Sequence, residues 1–286
     1  MSTTTTAITP GVGLAPALSP GIPHGAARLR WVVADALTIT KRNLIAYTRT
    51  PEALFFSTLQ PIMFVLLFRY VFGGAIHAIP GLSYINFLMA GIFVQSVGFG
   101  GIGTAVGLAD DLQKGLIERF RALPMARSAV LAGRTTADLV RNVLVLLLMT
   151  GVGALVGFSF PNGALGFIAA CALVLLFAYA LLWGFAVIGL TASNSETAQV
   201  MAFPILFPLI FASPAFVPIS QMPGWLQGFA SNQPIGVVIT AQRALMLGGK
   251  YVPGSAAGHV LVALAWSVGL LVVFAPLAVW RYRRST

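Results

Sequence analysis

Long apolar runs separated by short polar segments make up most of the chain after its first fifty residues. An α-helix needs about 20 apolar residues to cross the hydrocarbon core of a bilayer. The runs therefore predict an all-α integral membrane protein with six transmembrane helices. Their approximate bounds are Ala53–Phe72, Tyr84–Leu108, Val143–Phe160, Ala164–Leu190, Thr197–Phe216 and Ala257–Trp280.

Two segments depart from this pattern. Residues 28–50 mix apolar side chains with Arg and Lys, which predicts an N-terminal amphipathic surface helix; a solvated lead-in to the first span is the alternative. Residues 218–250 are apolar but include Gln227, Asn232 and Gln242, polar groups that are costly to bury in lipid. We expect this outer segment to be re-entrant, with two short helices that enter and leave on the same side.

The first 27 residues carry no charged side chain and are rich in Thr, Ala, Pro and Gly. They lack the basic start and apolar core of a signal peptide. We expect residues 1–27 to be a disordered cytoplasmic tail.

Composition excludes a water-soluble protein. Only 8% of the 286 residues are charged and 58% are hydrophobic, too little charge to cover a soluble globule. The net charge of +10 does not indicate a nucleic-acid partner, because no soluble domain carries it. Most basic residues fall in the loops that six spans place in the cytoplasm, which predicts a cell (inner or plasma) membrane protein with both termini cytoplasmic.

No catalytic or metal-binding pattern is present. The three His residues lie far apart, and Cys171 is the single cysteine, which excludes an intrachain disulfide. The nearest match to a phosphate-binding P-loop, Ala244–Tyr251, lacks its first Gly and its hydroxyl. We therefore expect no enzyme activity and no cofactor in this chain, so that any energy for transport comes from elsewhere.

The link between the second and third spans has a pattern of its own. Leu112, Leu116, Phe120 and Leu123 form one apolar stripe, which predicts a short amphipathic helix within residues 110–127. Asp110 and Asp111 are expected at its N-terminus, where the helix dipole favours acids, and Pro124 is expected to end it. Such a helix suits a groove in a partner protein; an interfacial helix that only anchors the loop is equally compatible with the spacing.

Beyond this helix, three charged residues share one helical face. Arg134, Asp138 and Arg141 follow at i, i+4 and i+7, so the face that enters the third span can pair internally. We take these three residues as a structural charged network.

Two sequence blocks resemble a known family. Residues 118–134 read ERFRALPMARSAVLAGR, and the outer segment contains FVP, MPGWLQGFA, QP and AQRAL between residues 216 and 245. Both blocks resemble type-2 ATP-binding-cassette (ABC-2) permeases, in particular the daunorubicin-resistance permease group. They lie far apart and in the order that the family has, and the similarity extends from about residue 28 to the C-terminus.

The resemblance implies an ABC-2 (ABCG-like) exporter fold with six spans, a surface helix, a cytoplasmic coupling helix and outer re-entrant helices. It implies a permease subunit that pairs with a second permease copy, as a homodimer or heterodimer, and with two copies of an ABC ATPase that binds MgATP. Carried over to this sequence, the ATPase-coupling residues are Glu118, Arg119, Phe120, Leu123, Pro124 and Met125. It also implies a structural role for Arg243 in holding the re-entrant helices.

The resemblance to this group implies outward export of a hydrophobic drug or antibiotic. Export of lipid or lipid-linked polysaccharide is the alternative within the same fold. An ion-coupled secondary transporter is the alternative of another class. It would need carboxylates within the spans, whereas all Asp and Glu residues are assigned to the cytoplasmic side.

The cargo route is expected at a subunit interface, lined by the Gly-rich second span and the Pro-broken fifth span. Phe203, Phe207 and Phe211 recur every four residues and would give that route an aromatic wall. A stripe that only packs or faces lipid is the alternative.

Overall fold

A computed structural model describes residues 26–49, 51–74, 80–116 and 127–284. Every regular element in these ranges is a helix. The α-helices are α1 (Ala26–Arg49), α2 (Pro51–Leu66), α3 (Tyr84–Gln113), α4 (Arg127–Leu155), α5 (Gly163–Gly189), α6 (Ser195–Phe211), α7 (Gly224–Asn232), α8 (Pro234–Leu247) and α9 (Ala256–Arg284). A π-helical stretch, Leu67–Phe72, continues α2.

Within the described ranges, four helices are long and apolar enough to cross a membrane. They are α3, α4, α5 and α9, which contain 27 to 30 residues each. At 1.5 Å per residue they are about 40–45 Å long, more than the ~30 Å thickness of the hydrocarbon core. The segments Thr58–Phe72 and Ser195–Phe211, which overlap the predicted spans Ala53–Phe72 and Thr197–Phe216, are apolar but shorter. The predicted all-helical membrane class is therefore confirmed, and the arrangement in six spans stays a prediction.

Helix α3 lies at the centre of the bundle and packs against α4, α5, α6 and α8. All its residues from Tyr84 to Gly98 are buried. Small residues allow this packing, because a Cβ on Gly91 would overlap the backbone of Ala215. In a bilayer such close van der Waals contact, rather than exclusion of water, holds helices together.

The third predicted span differs from helix α4 at both ends. The helix begins at Arg127 instead of Val143 and ends at Leu155 instead of Phe160. Gly157 ends it with φ +95°, and the amide of Phe158 donates to the carbonyl of Gly153 at 2.8 Å. This is a Schellman motif, which a glycine in the left-handed region favours.

The acids that were expected to begin the amphipathic helix instead end α3. Asp110 and Asp111 lie in the last turn of α3, which ends at Gln113. Gly115, with φ +64°, turns the chain there. The expected position of the two acids was wrong, because α3 ends at Gln113 within the apolar stripe; most of the predicted amphipathic helix lies outside the described residues. Basic partners offset the unfavourable dipole: Lys114 binds Asp110 at 2.7 Å, and Arg134 binds Asp111 at 2.9 Å.

The segment 218–250 forms the short 3₁₀ turn Ile219–Gln221 and the helices α7 and α8. With 9 and 14 residues, the two α-helices are about 14 and 21 Å long, shorter than a bilayer core. Pro234 occupies the first turn of α8, and the Gln233 side chain accepts from the amide of Ile235 at 3.0 Å. The re-entrant placement of this pair stays a prediction.

Candidate functional site

The residues assigned to ATPase coupling, Glu118, Arg119, Phe120, Leu123, Pro124 and Met125, lie outside the described residues. The chain is described up to Leu116 and again from Arg127. The candidate site that the structure does describe is a group of charged and hydroxyl side chains on α3 and α4, the two helices that bracket this segment, and on α1. We call Tyr47, Thr104, Asp111, Arg134 and Asp138 the buried charged network.

Asp138 is the centre of the network. Its side chain is fully buried, and its carboxylate accepts hydrogen bonds from the Thr104 hydroxyl at 2.6 Å and from the Tyr47 phenol. The Arg134 Nε atom lies 3.5 Å from the same carboxylate. A buried charge is stable only when it is paired and hydrogen-bonded in this way. Asp138 therefore joins three helices, α1, α3 and α4, at one point.

Arg134 extends the network toward the end of α3. Its Nη1 atom binds Asp111 at 2.9 Å, so the guanidinium bridges two carboxylates. Gly107 provides the space, because a Cβ there would overlap the guanidinium. The two acids and one arginine fix the last turns of α3 against α4.

The surface helix α1 joins through Tyr47 and packs along α4. The Thr40 hydroxyl donates to the carbonyl of Gly133 at 3.0 Å, and a Cβ on Gly133 would overlap Ile39. Burial, together with the Asp138 carboxylate, raises the pKa of the Tyr47 phenol, which therefore remains a donor. The opposite side of α1 exposes Trp31 and Leu37.

Arg141 shares the predicted face but does not join the ion pairs. Within the described part of the chain no carboxylate oxygen lies within 4.0 Å of its guanidinium. Instead Nη2 donates to the carbonyl of Gly100 at 2.7 Å, and Cζ lies 5.7 Å from the centre of the Tyr47 ring. The expected internal pairing of the three residues thus holds for Arg134 and Asp138 alone.

Tyr47, Thr104 and Asp111 were missed as members of the network. A signal for Thr104 was available, since Gly100, Gly103 and Gly107 recur on one helical face around it. A Cβ on any of these glycines would meet the Arg134, Arg141 or Asn142 side chain. The Gly-rich face thus admits polar side chains of α4, in addition to close backbone packing such as that at Gly91.

The three predicted route residues on α6 stack on one another. The ring centres of Phe203 and Phe207 are 5.2 Å apart, and those of Phe207 and Phe211 are 4.3 Å apart. Phe216 continues the series at 5.5 Å and stacks on Phe68 at 4.3 Å. Phe203, Phe207 and Phe211 keep 43%, 41% and 38% of their surface exposed, so an aromatic ladder faces outward along α6.

The second span lies beside this surface in part, and its role in lining a route between subunits stays a prediction. Residues 84–98 of α3 are buried inside the chain, because α5 and α6 both pack on them. Among the next residues, Phe99 reaches the ladder, with its ring centre 6.2 Å from that of Phe203.

Arg243 joins α8 to two other parts of the bundle. Its guanidinium donates to the carbonyl of Phe87 from Nε at 3.1 Å and from Nη2 at 3.0 Å, and to the carbonyl of Ala215 at 3.2 Å. Cζ lies 3.4 Å from the centre of the Phe87 ring. These contacts link α8 to α3 and to the turn after α6. Its assigned structural role stays a prediction, now with a defined geometry.

Comparison with known proteins matches residues 35–247 to the model of the ABC-2 type transporter family. This range covers more than half of the chain. The chain belongs to the ABC-2 type transporter family. It is 36% identical over 255 residues to the daunorubicin resistance ABC transporter permease protein DrrB1 of Streptomyces coeruleorubidus, covering 88% of this chain and 87% of that protein.

A second relative of this ABC-2 chain comes from Mycobacterium tuberculosis. The protein named "Probable doxorubicin resistance ABC transporter permease protein DrrC" is 28% identical over 277 residues, which cover 96% of this chain and 97% of the relative. The resemblance to the daunorubicin-resistance permeases is therefore confirmed.

Membership of the ABC-2 family, together with the four long apolar helices, identifies a multi-pass membrane protein. It also implies an ABC ATPase subunit as partner. The relatives are named as permeases, the membrane component of such transporters.

Proposed function

We propose that this chain is the permease subunit of an ATP-driven exporter that moves hydrophobic, drug-like compounds outward. The observation that carries the proposal is the identity of 36% across 88% of the chain to a permease named for daunorubicin resistance. The exposed aromatic ladder on α6 supports it, since stacked phenylalanines suit a flat aromatic cargo.

The membrane arrangement is part of this proposal. Six spans are formed by α2 with its π-helical extension, α3, α4, α5, α6 and α9, and both termini face the cytoplasm of the cell membrane. Basic residues end α9, with Arg281, Arg283 and Arg284 in its last turn, as expected for a cytoplasmic end. Helix α1 lies on the inner membrane surface, and α7 and α8 form the outer re-entrant segment.

Coupling to the ATPase runs through the assigned residues between Glu118 and Met125 in this proposal. Two copies of the permease pair with two copies of an ATPase that binds and hydrolyses MgATP. Closure of the ATPase pair pushes the coupling residues, and the buried charged network transmits the push. Because Asp138 and Arg134 fasten α1, α3 and α4 to one another, these helices move as one rigid body that alternates access to the cargo.

Glu118→Ala and Arg119→Ala test the coupling assignment. We expect both variants to reach the membrane normally but to lose co-purification with the ATPase and ATP-dependent uptake of daunorubicin into inverted vesicles. Arg283→Ala, which removes an exposed cation at the end of α9, is the matched control and should behave as wild type. Normal association and uptake in both test variants would refute the assignment.

The two alternatives predict different energy and cargo requirements. An ion-coupled carrier would stop when ionophores collapse the ion gradients while ATP remains, whereas the proposed exporter would continue. The buried Asp138 carboxylate is engaged by Thr104 and Arg134, contacts that assign it to holding the helices together. Transport of a fluorescent lipid, but not of daunorubicin, would favour lipid or lipid-linked polysaccharide export.

A further inference from the structure

A cavity of about 130 Å³ lies between α2, α3 and α4, apart from the ion pairs of the buried charged network. Its polar lining includes Gln60, Gln95, Arg141 and Asn142, and Phe99 and Val145 are among its apolar lining residues. The volume is below the roughly 300–1,000 Å³ of a site that encloses a whole drug-sized ligand. It is enough for one substituted ring or for a few water molecules.

Two buried amides line this cavity without a hydrogen-bond partner in the described structure. Gln95 is 2% exposed, and neither its Oε1 nor its Nε2 atom is bonded. Asn142 is 1% exposed, and its Nδ2 atom is unbonded. Buried polar atoms almost always have partners, because an unmade hydrogen bond destabilises the fold. These two residues therefore indicate that the cavity holds a molecule that forms the missing hydrogen bonds.

The donor and acceptor groups that line the cavity determine which functional groups it can bind. Arg141 supplies a guanidinium that, among the described residues, donates one hydrogen bond, to the carbonyl of Gly100. The free amide NH₂ groups of Gln95 and Asn142 are also donors. No Asp or Glu is among the lining residues. The arginine and the amide NH₂ groups bind carbonyl, phenolate or carboxylate oxygens and disfavour an ammonium group, while the unpaired Gln95 Oε1 accepts from a hydroxyl group or a water molecule beside them.

Phe99 connects the cavity to the aromatic ladder. It lines the cavity, and its ring centre lies 6.2 Å from that of Phe203, the first ring of the ladder on α6. A ligand whose oxygenated end enters the cavity would therefore have its remaining rings near stacked phenylalanines. The polar cavity and the aromatic surface form two adjoining parts of one site.

We propose that this cavity binds the oxygen-acceptor end of a planar aromatic cargo, with Gln95, Asn142 and Arg141 as donors. The proposal rests on the proposed export function and names the substrate class: a flat polycyclic molecule with carbonyl, phenolate or carboxylate oxygens at one end. Cargo that presents only an amine at that end is discriminated against by the Arg141 charge.

Direct binding without ATP tests the cavity separately from transport. The full chain with its ATPase is placed in phosphatidylcholine nanodiscs, and binding is measured by fluorescence anisotropy relative to empty discs. The two probes are an anthracenecarboxylate and the anthracenemethylamine substituted at the same ring carbon. We expect the carboxylate to bind wild type about tenfold more tightly than the amine, a ratio that corresponds to about 1.4 kcal/mol.

Gln95→Leu keeps the side-chain size but removes both amide atoms. It should weaken carboxylate binding about tenfold and leave amine binding unchanged. Its melting temperature should equal or exceed that of wild type, because an unpaired buried amide is replaced by an apolar side chain. Gln242→Leu is the matched control: Gln242 is also fully buried with both amide atoms unbonded, but it does not line the cavity. It should leave binding of both probes unchanged.

The outcomes separate this inference from the export proposal. If both probes bind but neither the carboxylate preference nor the effect of Gln95→Leu appears, the cavity holds water only and the inference is overturned. An equal loss in Gln242→Leu would overturn it as well, since the effect would then be on the fold. If ATP-dependent daunorubicin transport is absent while the probes bind as expected, the export proposal fails and the binding site stands.

Discussion

The replacement Asp138→Asn tests whether the buried charged network fastens three helices together. The substitution keeps the shape of the side chain and removes its charge. The Thr104 and Tyr47 hydroxyls then meet a neutral partner, and Arg134 retains Asp111 as its one carboxylate in the network. Asparagine keeps one acceptor oxygen and carries an NH₂ group in place of the other, so the measured effect reports the lost charge together with one lost acceptor.

The magnitude follows from these contacts. Hydrogen bonds to charged groups contribute about 1.5–3 kcal/mol each, against about 0.5–1.5 kcal/mol for neutral pairs. Weakening two of them costs about 2–3 kcal/mol, and the lost attraction to Arg134 adds to this. Breaking a buried ion pair costs about 3–5 kcal/mol. Because Asp111 still neutralises Arg134, we expect the lower end, about 3 kcal/mol.

The assay is denaturant titration of the purified variant in micelles, followed by ATP-dependent uptake in vesicles at a temperature where the variant is folded. Asp110→Asn is the control. Its ion pair with Lys114 is solvent-exposed, so no measurable change is expected. If Asp138→Asn unfolds at the same denaturant concentration as wild type, the network does not fasten the helices and the rigid-body explanation of coupling is wrong.

Three further predictions follow from packing. Gly107→Ala places a methyl group in the space of the guanidinium beside it and should lower the melting temperature, whereas Gly151→Ala, with open space around it, should leave it unchanged or raise it. Arg243→Lys should also lower the melting temperature, because an ammonium group lacks the forked donors that bind two carbonyls. An unchanged melting temperature would contradict the structural role of Arg243. Phe207→Ala should weaken binding and export of flat aromatic compounds with little loss of stability. Ile205→Ala, at another exposed position on α6, should leave binding and export unchanged. Equal effects of the two substitutions would indicate general lipid contact.

The sequence by itself determined the all-helical membrane class, the order of the apolar helices and the family. Each depends on information that is local along the chain. A run of about 20 apolar residues stabilises a helix in lipid whatever its neighbours are. The motif blocks at residues 118–134 and 216–245 are contiguous in the same way, and the family match includes both of them.

Tertiary structure alone decided the partners of the buried polar groups. Tyr47 meets Asp138 from 91 residues away, and Arg243 meets the Phe87 carbonyl from 156 residues away. Such pairs depend on how each helix is rotated about its axis, and hydropathy does not encode that rotation when nearly every face is apolar. The end of α3 after Asp111 was decided by one left-handed glycine turn within a continuing apolar stripe. The unpaired amide of Gln95 likewise indicates a binding site only because three helices form a cavity beside it.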